Sequence, residues 1–266
     1  MSDKHAKAQG TRRNRITVAE EQQQAGVGDR VAVADLKRIA IVFAPALDTE
    51  PTEMMVDWAC EAQAEGFTNI AVVFNGPRAH QAGNQLGREI QSPHVSIHCL
   101  SGPASIGKCQ SFMGHLFLQS KARLLVRVDP DGQFPVSSLN QLLARSTTGA
   151  DVIWAQRDEP SVAGVTRFLG NTMLRAIGLL RRLPGDPNSG CYALTQRAAA
   201  VLSSIPLPVY PEVRMLVAFR NASLRVASCV VPIVPRRRGQ SSLRGLFSGT
   251  QVFISSVLEM LSQERI

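Results

Sequence analysis

The stretch RLLVRVDPDGQFP, residues 123–135, joins an apolar segment to an acidic loop. Its first part, 123–128, has the length and apolar content of a buried strand. Its second part places Asp129 and Asp131 two residues apart on a loop stiffened by two prolines, where Gly132 permits a tight turn. Carboxylates at this spacing can converge on one hard cation.

On both sides of this stretch, short apolar runs alternate with amphipathic segments. Apolar strands separated by helices of 10 to 15 residues indicate a mostly parallel sheet covered on both faces, a Rossmann-like α/β fold that binds ligands at the carboxyl ends of its strands. The predicted strands are 39–44, 69–74, 95–100, 123–128, 151–155 and 223–234; the predicted helices are 55–66, 106–119, 162–182, 196–204 and 212–219, with a further segment at 78–90.

The chain of 266 residues is 44% hydrophobic and 19% charged, which suits one substantial core. We expect a flexible basic tail over 1–36, one domain over 37–246 and an amphipathic helix over 247–266 that caps the core or lies on a membrane surface. No export segment or membrane span is predicted, so a cytoplasmic protein is expected, with peripheral contact at the inner membrane face as an option. The five cysteines are scattered, which argues against a disulfide framework or a zinc site.

The formal net charge of +8 indicates an anionic partner without identifying it. Nucleic acid, phospholipid and nucleotide phosphate all fit this charge. The cations cluster in three groups, of which the first two are best explained as solvated surface: Arg12, Arg13 and Arg15; Arg181 and Arg182; and Arg236, Arg237 and Arg238.

The acidic loop suits a magnesium or manganese ion. Both ions prefer oxygen ligands and complete their shells with waters and substrate phosphates, so Asp129 and Asp131, with Gln133 as a further oxygen, predict a site for a metal-bound diphosphate. The alternative is an ordinary turn in which the aspartates cap local backbone N–H groups.

The residues VDPDGQFP, 128–135, resemble the DxDGQxxP signature of family 2 glycosyltransferases of the GT-A fold, specifically the branch that transfers mannose or glucose to dolichyl or polyprenyl phosphate. The resemblance spans about residues 38–244. Other matching segments follow in the family's order: Gly107-Lys108; Gln156-Arg157; Arg167 and Asn171; Asp186 to Cys191; Tyr210 to Val213; Val231 to Ile233; and Arg236 to Ser242.

The resemblance implies roles for individual residues. Asp129, Asp131 and Gln133 would hold the metal and the donor diphosphate, and Arg238 with Ser241 would close over the same diphosphate. Further binding and catalytic roles would fall to Lys108 near the donor, to Arg157 and Arg167 facing an acceptor phosphate, and to Pro45, Asn75 and Gly76 near the nucleotide.

This chain departs from the family where the nucleotide base is held. An Asn-Glu pair after the first strand and an Asp after the second are absent, so the identity of the base stays open. The acceptor decides whether a base catalyst is needed: a phosphate is already an anionic nucleophile, whereas a hydroxyl must lose its proton to a positioned carboxylate. Asp186 and Glu212 are candidates for that carboxylate, although a buried ion pair or a glutamate at the start of a helix would also explain them.

The sequence hypothesis is a metal-dependent, inverting transfer of a hexose from a GDP- or UDP-sugar to a polyprenyl phosphate or a related acceptor, lipid or soluble. The alternative is a non-catalytic, basic nucleic-acid-binding or regulatory protein on a degenerate glycosyltransferase scaffold. Two carboxylates are out of place on a surface that binds a phosphate backbone, so no nucleic acid partner is expected.

Overall fold

The computed structural model describes residues 28–157, 183–184, 186–187, 189–234, 254 and 257–258. In these ranges the strands are β1 Ala40–Leu47, β2 Ile70–Asn75, β3 Val95–Leu100, β4 Leu124–Arg127, β5 Val152–Arg157, β6 Tyr192–Thr195 and β7 Val226–Val231. The helices are α1 Gly28–Ile39, α2 Thr52–Ala64, α3 Ala79–Glu89, α4 Ile106–Gln119, α5 Leu139–Ser146, α6 Gln196–Ser204 and α7 Glu212–Asn221, with a 3₁₀ turn at Val136–Ser138.

The seven strands form one sheet in the order β3-β2-β1-β4-β6-β5-β7. Strand β6 runs antiparallel to both of its neighbours, β4 and β5, whereas the other paired strands are parallel. The predicted mostly parallel α/β sheet is therefore confirmed.

Helices cover both faces of the sheet, which explains why the central strand β1 is apolar throughout. Alternate residues of β1 belong to two separate core clusters: Val42 and Ala44 pack with Trp58 of α2, and Phe43 packs with Phe117 of α4 on the other face. A strand buried on both faces gains nothing from alternating polar residues, so the period of two is lost.

The first helix corrects part of the predicted flexible tail. Residues 28–36 belong to α1, because Val33 and Leu36 pack against the core and the ammonium group of Lys37 hydrogen-bonds the backbone carbonyl and the carboxylate of Glu65. The rest of the predicted tail, 1–27, lies outside the described residues, as does the predicted helix 162–182.

The predicted C-terminal helix is described at three positions, and all three are helical. Val257 packs against a core cluster, while Ile254 and Leu258 are 50% and 59% exposed. Among the described residues, none of the helices has the length and apolar character needed to cross a membrane.

Candidate active site at the carboxyl edge of the sheet

The carboxyl ends of β1 and β4 lie next to each other at the point where the strand order reverses. The chain proceeds from β1 outward to β2 and β3, and then returns to β4 on the other side of β1. Pairing between β1 and β4 stops at Phe43 and Arg127, so Pro45 lies beyond the ladder and its missing N–H costs no bond to β4. Such a switch point is where open α/β sheets bind ligands.

Asp129 follows β4 at this edge and forms an ion pair with a buried arginine. The terminal nitrogen Nη2 of Arg127 donates to Asp129 Oδ1 at 2.6 Å. The side chain of Arg127 is 2% exposed, whereas that of Asp129 is 36% exposed. One carboxylate oxygen is thus held by the protein, and the group still reaches solvent at the edge of the sheet.

A second carboxylate faces the same guanidinium group from α7. Glu212 Oε1 lies 3.6 Å from Arg127 Nη2 and accepts a hydrogen bond of 3.1 Å from Gln110 of α4. Burial raises the pKa of Glu212 above its ordinary value, with Arg127 opposing and Asp129 adding to the rise. Burial would lower the pKa of Arg127, but Asp129 and Glu212 outweigh it and the net pKa is raised. Arg127 therefore stays charged.

Gly190 lets the chain pass directly over this ion pair. A Cβ atom at residue 190 would lie 2.6 Å from Asp129 Cγ and 2.7 Å from Arg127 Nη1, and closer still to Asp129 Oδ2. A side chain at residue 190 would therefore displace Asp129 or the segment itself, so the segment before β6 forms one wall of the site.

Asp131 is 6% exposed and its Oδ1 accepts a hydrogen bond of 2.9 Å from the backbone N–H of Gln133. The local cap that the sequence left as an alternative is thus present at Asp131. The carbonyl of Gln133 accepts from the backbone N–H of Val234 at 2.9 Å. The acidic loop is therefore attached to the chain just before Arg236, at the start of the basic segment.

Arg157, at the end of β5, grips Asp186 with two hydrogen bonds of 2.5 and 2.8 Å. Burial would lower the pKa of Arg157, but the hydrogen bond and charge of Asp186, together with Asp129 and Asp131, outweigh it and raise the pKa. The charges of Asp129 and Asp131 thus favour the charged form of Arg157. Asp186 is 5% exposed with both oxygens engaged, which is the ion pair that the sequence offered as its alternative role.

Two aromatic rings connect the two ion pairs. Tyr192 stacks on Trp154 with centroids 4.8 Å apart, and the indole N–H of Trp154 donates to the carbonyl of Asp186 at 2.9 Å. The guanidinium carbon of Arg127 lies 5.7 Å from the centroid of the Tyr192 ring. A displacement of either arginine would therefore be transmitted through the packed rings of Trp154 and Tyr192.

Asn75, predicted to approach the nucleotide, has its side chain inside the protein. Its amide nitrogen donates to the carbonyl of Leu100 at 2.8 Å, and its oxygen accepts from the backbone N–H of Ser105 at 2.6 Å. Ser105 is the N-cap of α4 and accepts from the N–H of Lys108 at 3.3 Å. The amide thus holds the ends of β2 and β3 and the start of α4 together.

Beside Gly76, a polar cavity of about 270 Å³ opens at the ends of β1 and β2. Gly76 has φ +145°, and the carboxylate of Asp48 occupies the space that a Cβ there would need. Asp48 also accepts a hydrogen bond of 2.5 Å from the backbone N–H of Arg78. Side chains of α2, α3 and the preceding loops line the cavity: Asp48, Glu50, Pro51, Thr52, Glu53, Arg78, Gln81, Ala82 and Gln85.

The structure brings together Asp129, Asp131, Arg157, Asp186 and Glu212. Lys108 is exposed near the start of α4, with its ammonium nitrogen against Gly102. Three other predicted residues, Arg167, Arg238 and Ser241, lie outside the described residues, as do the three basic clusters.

The donor set at the acidic loop fits a hard divalent cation that shares its shell with a phosphate. In the described part of the chain no three Asp, Glu, His or Cys side chains are grouped to enclose a metal ion. Mg²⁺ and Mn²⁺ do not require such a group when one or two carboxylates, waters and a diphosphate complete the shell. Asp129 and Asp131 would supply these carboxylates, since a carboxylate oxygen that accepts one hydrogen bond retains another lone pair.

The fold is that of GT-A glycosyltransferases. Glucosyl-3-phosphoglycerate synthase from Mycobacterium tuberculosis matches with TM-score 0.59 and 19% identity, over 88% of this chain and 84% of that chain. The same enzyme in complex with Mn²⁺, UDP-glucose and glycerol 3-phosphate matches with TM-score 0.60 and 19% identity, over 87% and 83%. A mycobacterial protein gives TM-score 0.61 and 21% identity, over 86% and 78%. No protein-family model and no curated protein matches the chain.

Sequence reasoning missed Arg127 and Asp48, and it named Gly190 only as part of the matching segment Asp186 to Cys191. Arg127 carried a readable signal, because a charged residue inside an otherwise apolar strand must find a buried partner. The approach of Gly190 to Asp129 had no local signal, since it arises from the pairing of β6 with β4.

Proposed function

We propose that the protein is a glycosyltransferase that uses a nucleotide-sugar and a bound Mg²⁺ or Mn²⁺. The observation that carries the proposal is the position of Asp129 and Asp131 on the loop after β4, at the switch point of a GT-A sheet, with Val234, two residues before Arg236, hydrogen-bonded to the same loop. The neighbouring structures bind UDP or UDP-glucose with Mn²⁺ or Mg²⁺, which supports the same ligands here.

The charges at the edge also support this proposal. When all groups are counted as ionised, this edge carries two more negative than positive charges. The negative charges are the carboxylates of Asp129, Asp131, Asp186 and Glu212, and the positive charges are the guanidinium groups of Arg127 and Arg157. A divalent cation would offset this excess. When bound, the cation would stabilise the negative charge that develops on a departing nucleoside diphosphate. Arg238 and Ser241 would contribute from the basic segment.

The nucleoside would lie toward the cavity beside Gly76. Asp48 and Glu50 border this cavity, and carboxylates accept hydrogen bonds from ring N–H groups, which both uracil and guanine possess. Pro45, Asn75 and Gly76 would shape this side of the site through the backbone, because the amide of Asn75 is used internally.

The acceptor carries a phosphate in this proposal. Arg157 is 22% exposed beside the acidic loop, and its planar guanidinium group suits a phosphate. Asp186 and Glu212 are both held in ion pairs, and a hydroxyl acceptor would have to pass its proton to one of these paired carboxylates, whereas a phosphate nucleophile needs no base. Polyprenyl phosphate, suggested by the sequence, and phosphoglyceric acid, bound by a structural neighbour, are the two acceptors to compare. Polyprenyl phosphate would react through its phosphate, whereas phosphoglyceric acid also carries a hydroxyl group, whose reaction would need a base. Inversion at the anomeric carbon stays a prediction, measurable by NMR of the product.

Isothermal titration of UDP and GDP with and without Mn²⁺ tests the metal and donor site. We expect one nucleotide to bind at least about tenfold tighter with Mn²⁺, and Asp129→Asn or Asp131→Asn to remove this gain, since even outer-shell changes at metal sites cost about 10–100-fold. Asp35→Asn, an exposed carboxylate on α1, is the control for the same chemical change and should leave binding unaltered. Binding that ignores Mn²⁺ and both aspartates would refute the proposal.

A further inference from the structure

Arg127 is the least expected residue of the site, because it is a charged group on a central strand with 2% of its side chain exposed. A buried guanidinium is costly unless it is paired with good geometry. Its shortest contact, 2.6 Å from Nη2 to Asp129 Oδ1, is with the first carboxylate of the acidic loop.

Three elements hold the guanidinium group where it is. Glu212 of α7 lies 3.6 Å away, Gln110 of α4 fixes Glu212 by a hydrogen bond of 3.1 Å, and the ring of Tyr192 on β6 packs against the group. The remaining nitrogens of Arg127, Nε and Nη1, are buried without a hydrogen-bond partner. The strong, charge-assisted bond of this group is therefore the one to Asp129.

We propose that Arg127 is a positioning residue that occupies Asp129 as an internal counter-ion, so that the divalent cation binds together with the donor diphosphate and only weakly alone. The inference rests on the proposed function, in which Asp129 is a metal ligand. A fixed positive charge at hydrogen-bond distance from one ligand oxygen repels an arriving cation. A diphosphate compensates for this local repulsion because it adds negative charge and ligand oxygens beside Asp129.

This arrangement gives the enzyme an order of binding. The acidic loop stays formed in the absence of metal, because Arg127 neutralises Asp129 and the backbone N–H of Gln133 holds Asp131. The loop is therefore preorganised, and free Mn²⁺ is not sequestered before the donor arrives.

The test is Mn²⁺ binding to the full chain, followed by the electron paramagnetic resonance signal of free Mn²⁺, with and without UDP or GDP. Wild-type protein should bind Mn²⁺ weakly alone and at least about tenfold tighter with the nucleotide. The variant R127M/E212Q removes one positive and one negative charge, so its formal net charge is unchanged. We expect it to bind Mn²⁺ alone at least about tenfold tighter than wild type, the scale on which a charge at this distance shifts a neighbouring equilibrium.

Two further variants make the result specific. E212Q leaves Asp129 as the remaining carboxylate partner of Arg127 among the contacts described above. E212Q should therefore bind Mn²⁺ alone a few-fold more weakly than wild type, whereas R127M/E212Q should bind it more tightly. R127K keeps the charge and should retain wild-type affinity for Mn²⁺ alone. Circular dichroism and thermal unfolding check that each variant is folded.

The possible outcomes separate this inference from the proposed function. Wild-type binding of the nucleotide that ignores Mn²⁺ would refute the proposed function. Metal-dependent nucleotide binding, combined with an unchanged or lower affinity of R127M/E212Q for Mn²⁺ alone, would refute the role of Arg127 and leave the proposed function intact. If R127M/E212Q does not fold, the sign of the change in E212Q decides.

Discussion

Replacing Gly190 with alanine adds one methyl group where the structure has no room for it. The new Cβ would lie 2.6 Å from Asp129 Cγ and 2.7 Å from Arg127 Nη1, whereas carbon atoms at optimal separation are about 3.5–4 Å apart. The acidic side chain or the segment before β6 must therefore move by roughly 1 Å. Gly190 is not among the glycines with positive φ, so alanine introduces the clash without backbone strain.

The expected loss of stability follows from what has to give way. Moving Asp129 breaks its hydrogen bond to Arg127, and hydrogen bonds to charged groups contribute about 1.5–3 kcal/mol. A side chain forced about 30° off its rotamer costs a further 0.5–1.5 kcal/mol, roughly. We expect Gly190→Ala to lower the free energy of unfolding by about 2–4 kcal/mol. Mn²⁺-dependent nucleotide binding should fall at least about tenfold, because the displaced carboxylate is a proposed metal ligand.

Urea unfolding followed by circular dichroism measures the first effect, and titration with UDP or GDP and Mn²⁺ measures the second. Gly87→Ala is the matched control, since a Cβ at this position in α3 would meet Ile97 Cδ1 at an ordinary 3.7 Å. Alanine inside a helix should stabilise the protein by about 0.5–1 kcal/mol relative to glycine. If Gly190→Ala stays within about 0.5 kcal/mol of wild type and binds nucleotide normally, the placement of Gly190 against Asp129 is wrong.

Three other predictions concern separate parts of the chain. Asn75→Ala should lower the free energy of unfolding by about 2–4 kcal/mol in urea titrations, because it leaves the carbonyl of Leu100 and the backbone N–H of Ser105 without their hydrogen-bond partner. A loss near zero would contradict the role of this amide. Arg157→Met should raise the KM for the phosphate-bearing acceptor more than about tenfold and leave the Kd for the nucleotide with Mn²⁺ within about threefold, because this guanidinium group is proposed to hold the acceptor. An equal rise in the KM and the Kd would contradict that assignment. In the folded protein at pH 8, a thiol reagent should modify the exposed Cys60 within minutes and leave the buried Cys109 and Cys191 unmodified until denaturant is added. The reason is that burial raises the pKa of Cys109 to about 12 and also raises the pKa of Cys191. Rapid labelling of all three would show that the core is open.

The parallel half of the sheet could be predicted because its elements carry local signals. Continuous apolar runs identified β1 to β4, and the predicted helix 106–119 has the bounds of α4, Ile106–Gln119. Strand β6 was not predicted, because it has only four residues and pairs in the opposite direction, so the sequence carries no clear strand pattern there. Helix α5 was also not predicted, although its sequence carries a helical signal: Leu139, Leu142 and Leu143 recur at helical spacing and are buried.

The site could be predicted in part for the same reason. Asp129 and Asp131 follow a strand directly, and the rule for the carboxyl ends of parallel strands places them at the binding edge. The ion pairs of Arg127 with Glu212 and of Arg157 with Asp186 join residues that are distant in sequence. Such pairs depend on which strands become neighbours, and one sequence without an alignment does not contain that information.

The reversed direction of β6 explains how segments before and after strands meet in one place. A parallel strand delivers the residues that follow it to the binding edge, as β4 does for Asp129 and β5 does for Arg157. An antiparallel strand delivers the residues that precede it, and Asp186 and Gly190 both come before β6. Had β6 been parallel to β4, these two residues would lie at the opposite edge, and Arg157 would have no carboxylate from this segment. The one antiparallel strand among the described residues therefore brings Asp186 to Arg157 and Gly190 to the ion pair of Arg127 with Asp129.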